Sequence, residues 1–300
     1  MKLRLFFLAA FVSLASCSSD DDENPDPTPT PTPVVKNLKD ITYKNASGEI
    51  REITKYEDNK LKERILYDQG VIFHTEIFAY NEDGYLVSGV YTTDDDGVNQ
   101  YVSYDDSGRI TQITNDFTYM GIVGNTTTSV VDYSETGVIN VTKTTVQGEN
   151  EELDYFKYFL TAEGRVYEIA LVNDDELSYI YKVDYDGDNV AVVYSYRDGD
   201  TGAYLNTSTL SYDNETEVKG EFVHINSNRF GDNKANYVIY REDVIPNVSE
   251  KYHTGTNVAG YVNYSSQITY EFDEDGYPVK QTGYIDGEQD PTAEYFITYE

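Results

Sequence analysis

The chain holds one cysteine, no tryptophan, three histidines and two methionines in 300 residues. One thiol cannot form an intrachain disulfide or a Cys-rich zinc site. His74, His224 and His253 lie far apart, with no i, i+2 or i, i+4 partner, so a His-based metal site is not indicated. No Gly-x-Ser-x-Gly elbow, phosphate loop or dinucleotide fingerprint is present. The one long apolar run, Leu5 to Ala15, is too short to span a bilayer. No amphipathic helical stretch follows it. Positive charge is scarce too, with 22 Lys and Arg against 54 Asp and Glu for a net charge of -32. Such a chain repels phosphate backbones and anionic membrane surfaces, which excludes nucleic acid as a partner. Eight of the basic residues fall between Lys36 and Arg64, so the field is bipolar.

The N-terminus reads as a targeting signal. Lys2 and Arg4 precede the apolar run, which ends in Leu14-Ala15-Ser16-Cys17. This resembles the lipobox of bacterial lipoproteins, which implies cleavage after residue 16 and a diacylglyceryl group on Cys17. Asp20-Asp21-Asp22-Glu23 resembles the acidic export signal of Bacteroidetes surface lipoproteins, which implies the outer leaflet of the outer membrane, facing the exterior. Five of the eight prolines then alternate from Pro25 to Pro33. Alternate prolines favour extended polyproline II, so at ~3.1 Å per residue the stretch from Ser18 to Val35 reaches about 50 Å as a stiff tether. The expected division is 1–16 signal peptide, 17–36 lipidated cysteine, acidic tag and tether, and 37–300 a single domain.

Tyrosine is the abundant residue, 30 of 300. It must supply much of the buried area while leaving its hydroxyl at a wet edge. Tyr80-Asn-Glu-Asp-Gly84-Tyr-Leu, Tyr104-Asp-Asp-Ser-Gly108-Arg-Ile, Tyr133-Ser-Glu-Thr-Gly137-Val-Ile and Phe272-Asp-Glu-Asp-Gly276-Tyr-Pro are near-copies, as are stretches at Tyr43 and Phe159. Weaker ones begin at Tyr56, Tyr67, Tyr185 and Tyr212, and the gap from Tyr212 to Phe272 is about two units long. Asp, Asn and Ser open a type I turn, and the glycine takes the left-handed conformation that closes a bulged hairpin. The flanks alternate with period two, as in Tyr179-Ile-Tyr181-Lys-Val183-Asp-Tyr185. Each unit is two strands on a tight turn, with longer polar loops such as 93–97 and 147–150 between units. This predicts an all-β antiparallel up-and-down meander of about 16–18 strands, strongly curved or closed as a barrel.

Tyr104-Asp105-Asp106-Ser107-Gly108-Arg109-Ile110-Thr111 resembles the tyrosine–aspartate repeat of Rhs-type proteins, which build large β shells. Signal, acidic tag, proline tether and tyrosine-rich hairpins together are similar to a family of Bacteroidetes surface lipoproteins with a porin-like β fold. That resemblance covers about Leu38 to Glu300, and it brings no catalytic residues. Missing glycines at the Tyr56 and Tyr212 units depart from the pattern. The strands show no lipid-facing apolar band, so porin-like does not imply a membrane pore.

The candidate ligand-binding residues are Tyr179, Tyr181, Tyr194 and Tyr196, two rows on consecutive strands that make a sugar-stacking platform if their register puts them on one face. Asp184, Asp186 and Asp188 have the look of a calcium loop, but glycine sits wrongly for an EF-hand and Asp-Gly turns give the same letters. No other cofactor is indicated and no catalytic residue is assigned. The expected function is a non-enzymatic, surface-anchored binding or structural module. Its partners would be a neutral glycan or another envelope protein, besides the lipid of its anchor. The alternative is an extracellular hydrolase using a carboxylate pair, with no pair singled out among the 54 acids.

Overall fold

A computed structural model of the protein describes residues 35–300 apart from 174–175, 188, 198–202, 220–233, 242–250, 261–262 and 287. Cys17 and His224 lie outside the described residues. The strands of the first half are β1 (Leu38–Lys44), β2 (Ile50–Glu57), β3 (Lys60–Asp68), β4 (Val71–Tyr80), β5 (Leu86–Thr92), β6 (Asp96–Tyr104), β7 (Ile110–Tyr119), β8 (Ile122–Asp132) and β9 (Val138–Gln147). Those of the second half are β10 (Asn150–Leu160), β11 (Val166–Asn173), β12 (Glu176–Asp186), β13 (Asn189–Arg197), β14 (Tyr204–Tyr212), β15 (His253–Gly260), β16 (Tyr264–Phe272), β17 (Pro278–Ile285) and β18 (Glu288–Tyr299). Among the described residues one helix, α1 (Lys234–Arg241), interrupts them.

Each strand pairs antiparallel with the next in the chain. β18 then pairs with β1, from Leu38↔Tyr299 to Lys44↔Glu294. The sheet of 18 strands is therefore a closed up-and-down barrel without an unpaired edge. The links between units are tighter than expected. Gln147 pairs directly with Asn150, and Gln69-Gly70 and Met120-Gly121 hold positive φ at both turn residues, as Asp58-Asn59 does at the opposite end, the hairpin geometry that matches strand twist.

Connections after even-numbered strands lie at one end, the base, together with the start of β1 and the end of β18. Those after odd-numbered strands lie at the other end, the mouth. The tyrosine repeats mark the base. In seven units a tyrosine near the end of one strand sends its hydroxyl back to the preceding unit. Tyr80 donates to the Leu61 carbonyl at 2.8 Å, Tyr104 to Leu86 at 2.7 Å and Tyr133 to Ile110 at 2.9 Å. Tyr185 donates to Val166, Tyr212 to Val190, Tyr270 to His253 and Tyr299 to Pro278 in the same way. The residue just before that carbonyl covers the same ring: Lys60 over Tyr80, Arg109 over Tyr133 at 4.4 Å, Arg165 over Tyr185, and Tyr85 stacked on Tyr104 at 5.1 Å. The recurring order Tyr, turn, Gly, Arg or Tyr, then Ile or Leu thus encodes one interface with the neighbouring unit, as in other repeat folds. The tyrosine hydroxyls end on backbone carbonyls instead of at a wet edge. Leu38, Leu61, Leu86, Ile110, Ile139, Val166 and Val190 fill the space behind them and form the core. Three copies depart from the sequence alignment. Leu160, not Phe159, pairs across its turn with Val166, and the Tyr43 and Tyr67 copies lie at the mouth.

The long gap after Tyr212 is one hairpin turn opened by an insertion. Asp213 N–H donates to the Tyr252 carbonyl at 3.0 Å, the same closing bond as Asp105 to Arg109 at 2.9 Å. The connection 213–252 hangs from that bond and carries α1, where no helix was expected. Eight residues are too few to form a helix unaided, so contacts hold it. Asn236 is fully buried. It donates to the Gly108 carbonyl at 2.7 Å and accepts from Ile110 N–H at 2.9 Å. Ala235, Ile239 and Tyr240 join the core. α1 therefore sits inside the barrel, against the wall formed by β6 and β7, and plugs the base.

Most base turns use a glycine in the left-handed conformation, whereas Asp58 and Asn59 take that role between β2 and β3. Gly84, Gly108 and Gly164 hold φ of 84°, 72° and 80°. A Cβ on Gly108 would also stand 2.6 Å from the Tyr85 hydroxyl, whereas one on Gly164 would meet nothing within 4 Å. Gly164→Ala should cost only the left-handed penalty, about 1–2 kcal/mol. Gly108→Ala should cost more because Tyr85 must leave Tyr104. Equal urea midpoints for the two variants would contradict this packing.

Candidate functional site

Above the apolar base the inner wall is polar. Inward positions follow from the register. Tyr43 pairs with Glu52, Glu52 with Leu66 and Leu66 with His74, while Arg64 pairs with Glu76. Arg64 donates to Glu52 at 2.9 Å and to Glu76 at 3.3 Å. His74 Nε2 is 3.0 Å from Glu76 Oε1, and the Thr54 hydroxyl donates to Glu52 at 2.9 Å. Burial opposes the Arg64 charge, but the hydrogen bonds and charges of Glu52 and Glu76 outweigh it and hold the guanidinium protonated above its ordinary range. Beside this cluster, the Tyr91 hydroxyl donates to Gln100 at 3.1 Å and meets the Tyr240 hydroxyl of α1 at 2.8 Å. Gln100 also accepts from Tyr240 and donates to Asn115 at 2.8 Å. The plug is thereby tied to the polar wall.

Nearer the mouth, Tyr43, Arg51, Glu52, Leu66, Tyr67, Asp68 and Phe73 line a half-open depression of about 530 Å³. Tyr295 stacks behind Tyr43 with ring centres 5.0 Å apart and planes 22° apart. Arg51 pairs with Asp68 at 2.7 Å. Bulges shape this corner: β1 and β2 slip at Tyr43/Lys44, and β3 and β4 slip at Leu66/Tyr67. The extra residues, Arg51 and Phe73, are thrown out of the regular alternation and into the depression.

The two tyrosine rows do not share a face. Tyr181 pairs with Ser195, whereas Tyr194 pairs with Lys182. Tyr181 packs against the core. Tyr194 is on the outer face, where it donates to Asp184 at 2.8 Å and lies under Lys182; that hydrogen bond, with burial, raises its pKa. Tyr179 pairs with Ala170, next to the bulge at Ile169/Ala170. The side chains of Tyr179 and Tyr196 lie outside the described set, as does Asp188. Asp184 is engaged by Tyr194 and by Lys182 at 3.5 Å, and Asp186 is exposed at its turn. Among the described residues no group of three or more His, Asp or Glu is placed to hold a metal ion. His253 is at the base, where burial lowers its pKa and Thr256 bonds its ring.

Sequence reasoning missed Glu52, Arg64, Glu76, His74 and Gln100. The available signal was weak: charged residues at alternate positions on neighbouring strands, which also describes a solvated face.

No family model matches the chain, and no curated protein matches it. Among solved structures it is similar to a porin-like protein from Bacteroides uniformis, at 15% identity over 88% of this chain and 96% of that chain, with a TM-score of 0.43.

Proposed function

We propose that the protein is a non-enzymatic binding module of the cell envelope, a barrel that stands in water and is held at the outer membrane by lipid on Cys17. The observation that carries this reading is the charged outer face. Lys55 and Glu63 pair across β2 and β3 at 2.7 Å, and Lys280 bridges to Glu294 at 2.9 Å. Asp116, Lys157 and Glu168 also point outward by register. A basic side chain on a lipid-facing strand costs about 2–4 kcal/mol at the bilayer midplane, so this wall belongs in water. The plugged base argues against conduction. The mouth, opposite the end where the tether joins, exposes Tyr119, Met120, Ile122 and Phe73, which suits contact with a partner. The wall's acids also fit a binding role better than hydrolysis, because Arg64 ties up Glu52 and Glu76 together, whereas a general acid must hold its own proton.

The test feeds labelled fatty acid to cells producing the wild type or Cys17→Ala. The wild type should be labelled and sediment with membranes, and the variant should be unlabelled and soluble after an alkaline carbonate wash. A variant that stays in washed membranes would mean the barrel itself is embedded.

A further inference from the structure

We infer that the depression at the mouth is a binding site for a neutral saccharide, an inference that rests on the barrel being a binding module. Its walls are of two kinds. Tyr43, backed by Tyr295, together with Tyr67 and Phe73, offers ring faces. Such faces match the apolar C–H faces of a sugar ring and bury area at low entropic cost. Between them stand Arg51 and Asp68, paired at 2.7 Å, and Glu52, which is held at 2.9 Å by Arg64 from outside the lining. Arg51 keeps spare N–H groups, and Asp68 and Glu52 keep spare lone pairs, at the margins of these pairs. Hydroxyl groups, which donate and accept at once, use both kinds.

The pairing of the depression's carboxylates decides the ligand class. The chain as a whole carries -32, which repels acidic polymers. In the depression Asp68 is engaged by Arg51 and Glu52 by Arg64, so neither carboxylate is free to take a cation. An uncharged polyol is left. The volume of about 530 Å³ lies within the ~300–1,000 Å³ usual for small-molecule sites. Because the depression is half open, affinity should fall between about micromolar and millimolar.

The experiment screens the full-length protein on an array of neutral and acidic glycans, then titrates the best neutral oligosaccharide by calorimetry. Phe73→Ala is informative because its ring is 45% exposed and its loss should leave the fold intact. Arg51→Gln removes one ion pair without touching an aromatic ring, and Tyr101→Ala, on the outer face and 51% exposed, is the control. Binding that weakens by about tenfold or more in Phe73→Ala and Arg51→Gln but persists in Tyr101→Ala supports the site. No neutral glycan bound by a protein of native circular dichroism, binding to acidic glycans alone, or binding untouched by Phe73→Ala would overturn it. Chromatography of the incubated glycan separates the two readings. Release of fragments, lost in Phe73→Ala, would keep the site and overturn the non-enzymatic reading.

Discussion

Asn236→Ala should destabilise the protein by about 2–6 kcal/mol. The amide is fully buried, and its two ends satisfy the Ile110 N–H and the Gly108 carbonyl. Alanine leaves both main-chain groups unpaired in the core, at ~1–3 kcal/mol each. With the tie between α1 and the wall lost, the plug is also expected to loosen. Urea unfolding measures the first effect. Faster hydrogen exchange at Ile110, with distant strands unchanged, measures the second. An unchanged midpoint and unchanged exchange would show that the helix is not held by this residue.

Alkaline pH should unfold the barrel steeply. Burial raises the hydroxyl pKa of Tyr104, Tyr133, Tyr270 and Tyr299, and pushes Tyr185 up to about 12. An unfolded tyrosine titrates near about 10. Below that pH both states are neutral and the contribution is fully present. As pH rises past it, the unfolded chain releases protons that the native rings retain, and stability is lost progressively until the native values are reached. Each retained proton removes ~1.4 kcal/mol per pH unit, and these rings act together because each is bonded to the preceding unit's backbone. The expected result is a cooperative transition beginning near pH 10 and complete by about 12, with tyrosinate absorbance rising in step with loss of sheet circular dichroism. Tyr133→Phe should make the transition shallower. Gradual ionisation with the sheet intact would refute the buried arrangement of hydroxyls.

Much of the fold was legible because it is local. Period-two alternation gives strands wherever it occurs, and a polar turn followed by a left-handed glycine gives the hairpin at Gly84 or Gly108 whatever surrounds it. Units of similar length joined by tight turns can only lie side by side, so the antiparallel meander and its approximate strand number followed. The site was less legible. Glu52, Arg64 and Glu76 come from three strands, and no pair of them is close enough in sequence to form a motif. Their meaning depends on which face each strand turns inward.

The chain by itself determined the strands, their turns and the tyrosine spacing that makes each unit bind the one before it. Tertiary structure decided closure, register and the plug. Closure needs β18 to meet β1 across the whole chain, a long-range pairing that no local pattern encodes. Register is fixed by bulges such as the one between Asp184 and Tyr185, and one residue of slip exchanges the faces of a strand; that is why Tyr181 lies inside and Tyr194 outside. The helix exists because partners far along the chain complete it, among them Ile110 and Tyr91, 126 and 149 residues from their partners Asn236 and Tyr240. A sequence of eight residues cannot specify a helix whose stability comes from the wall it leans on.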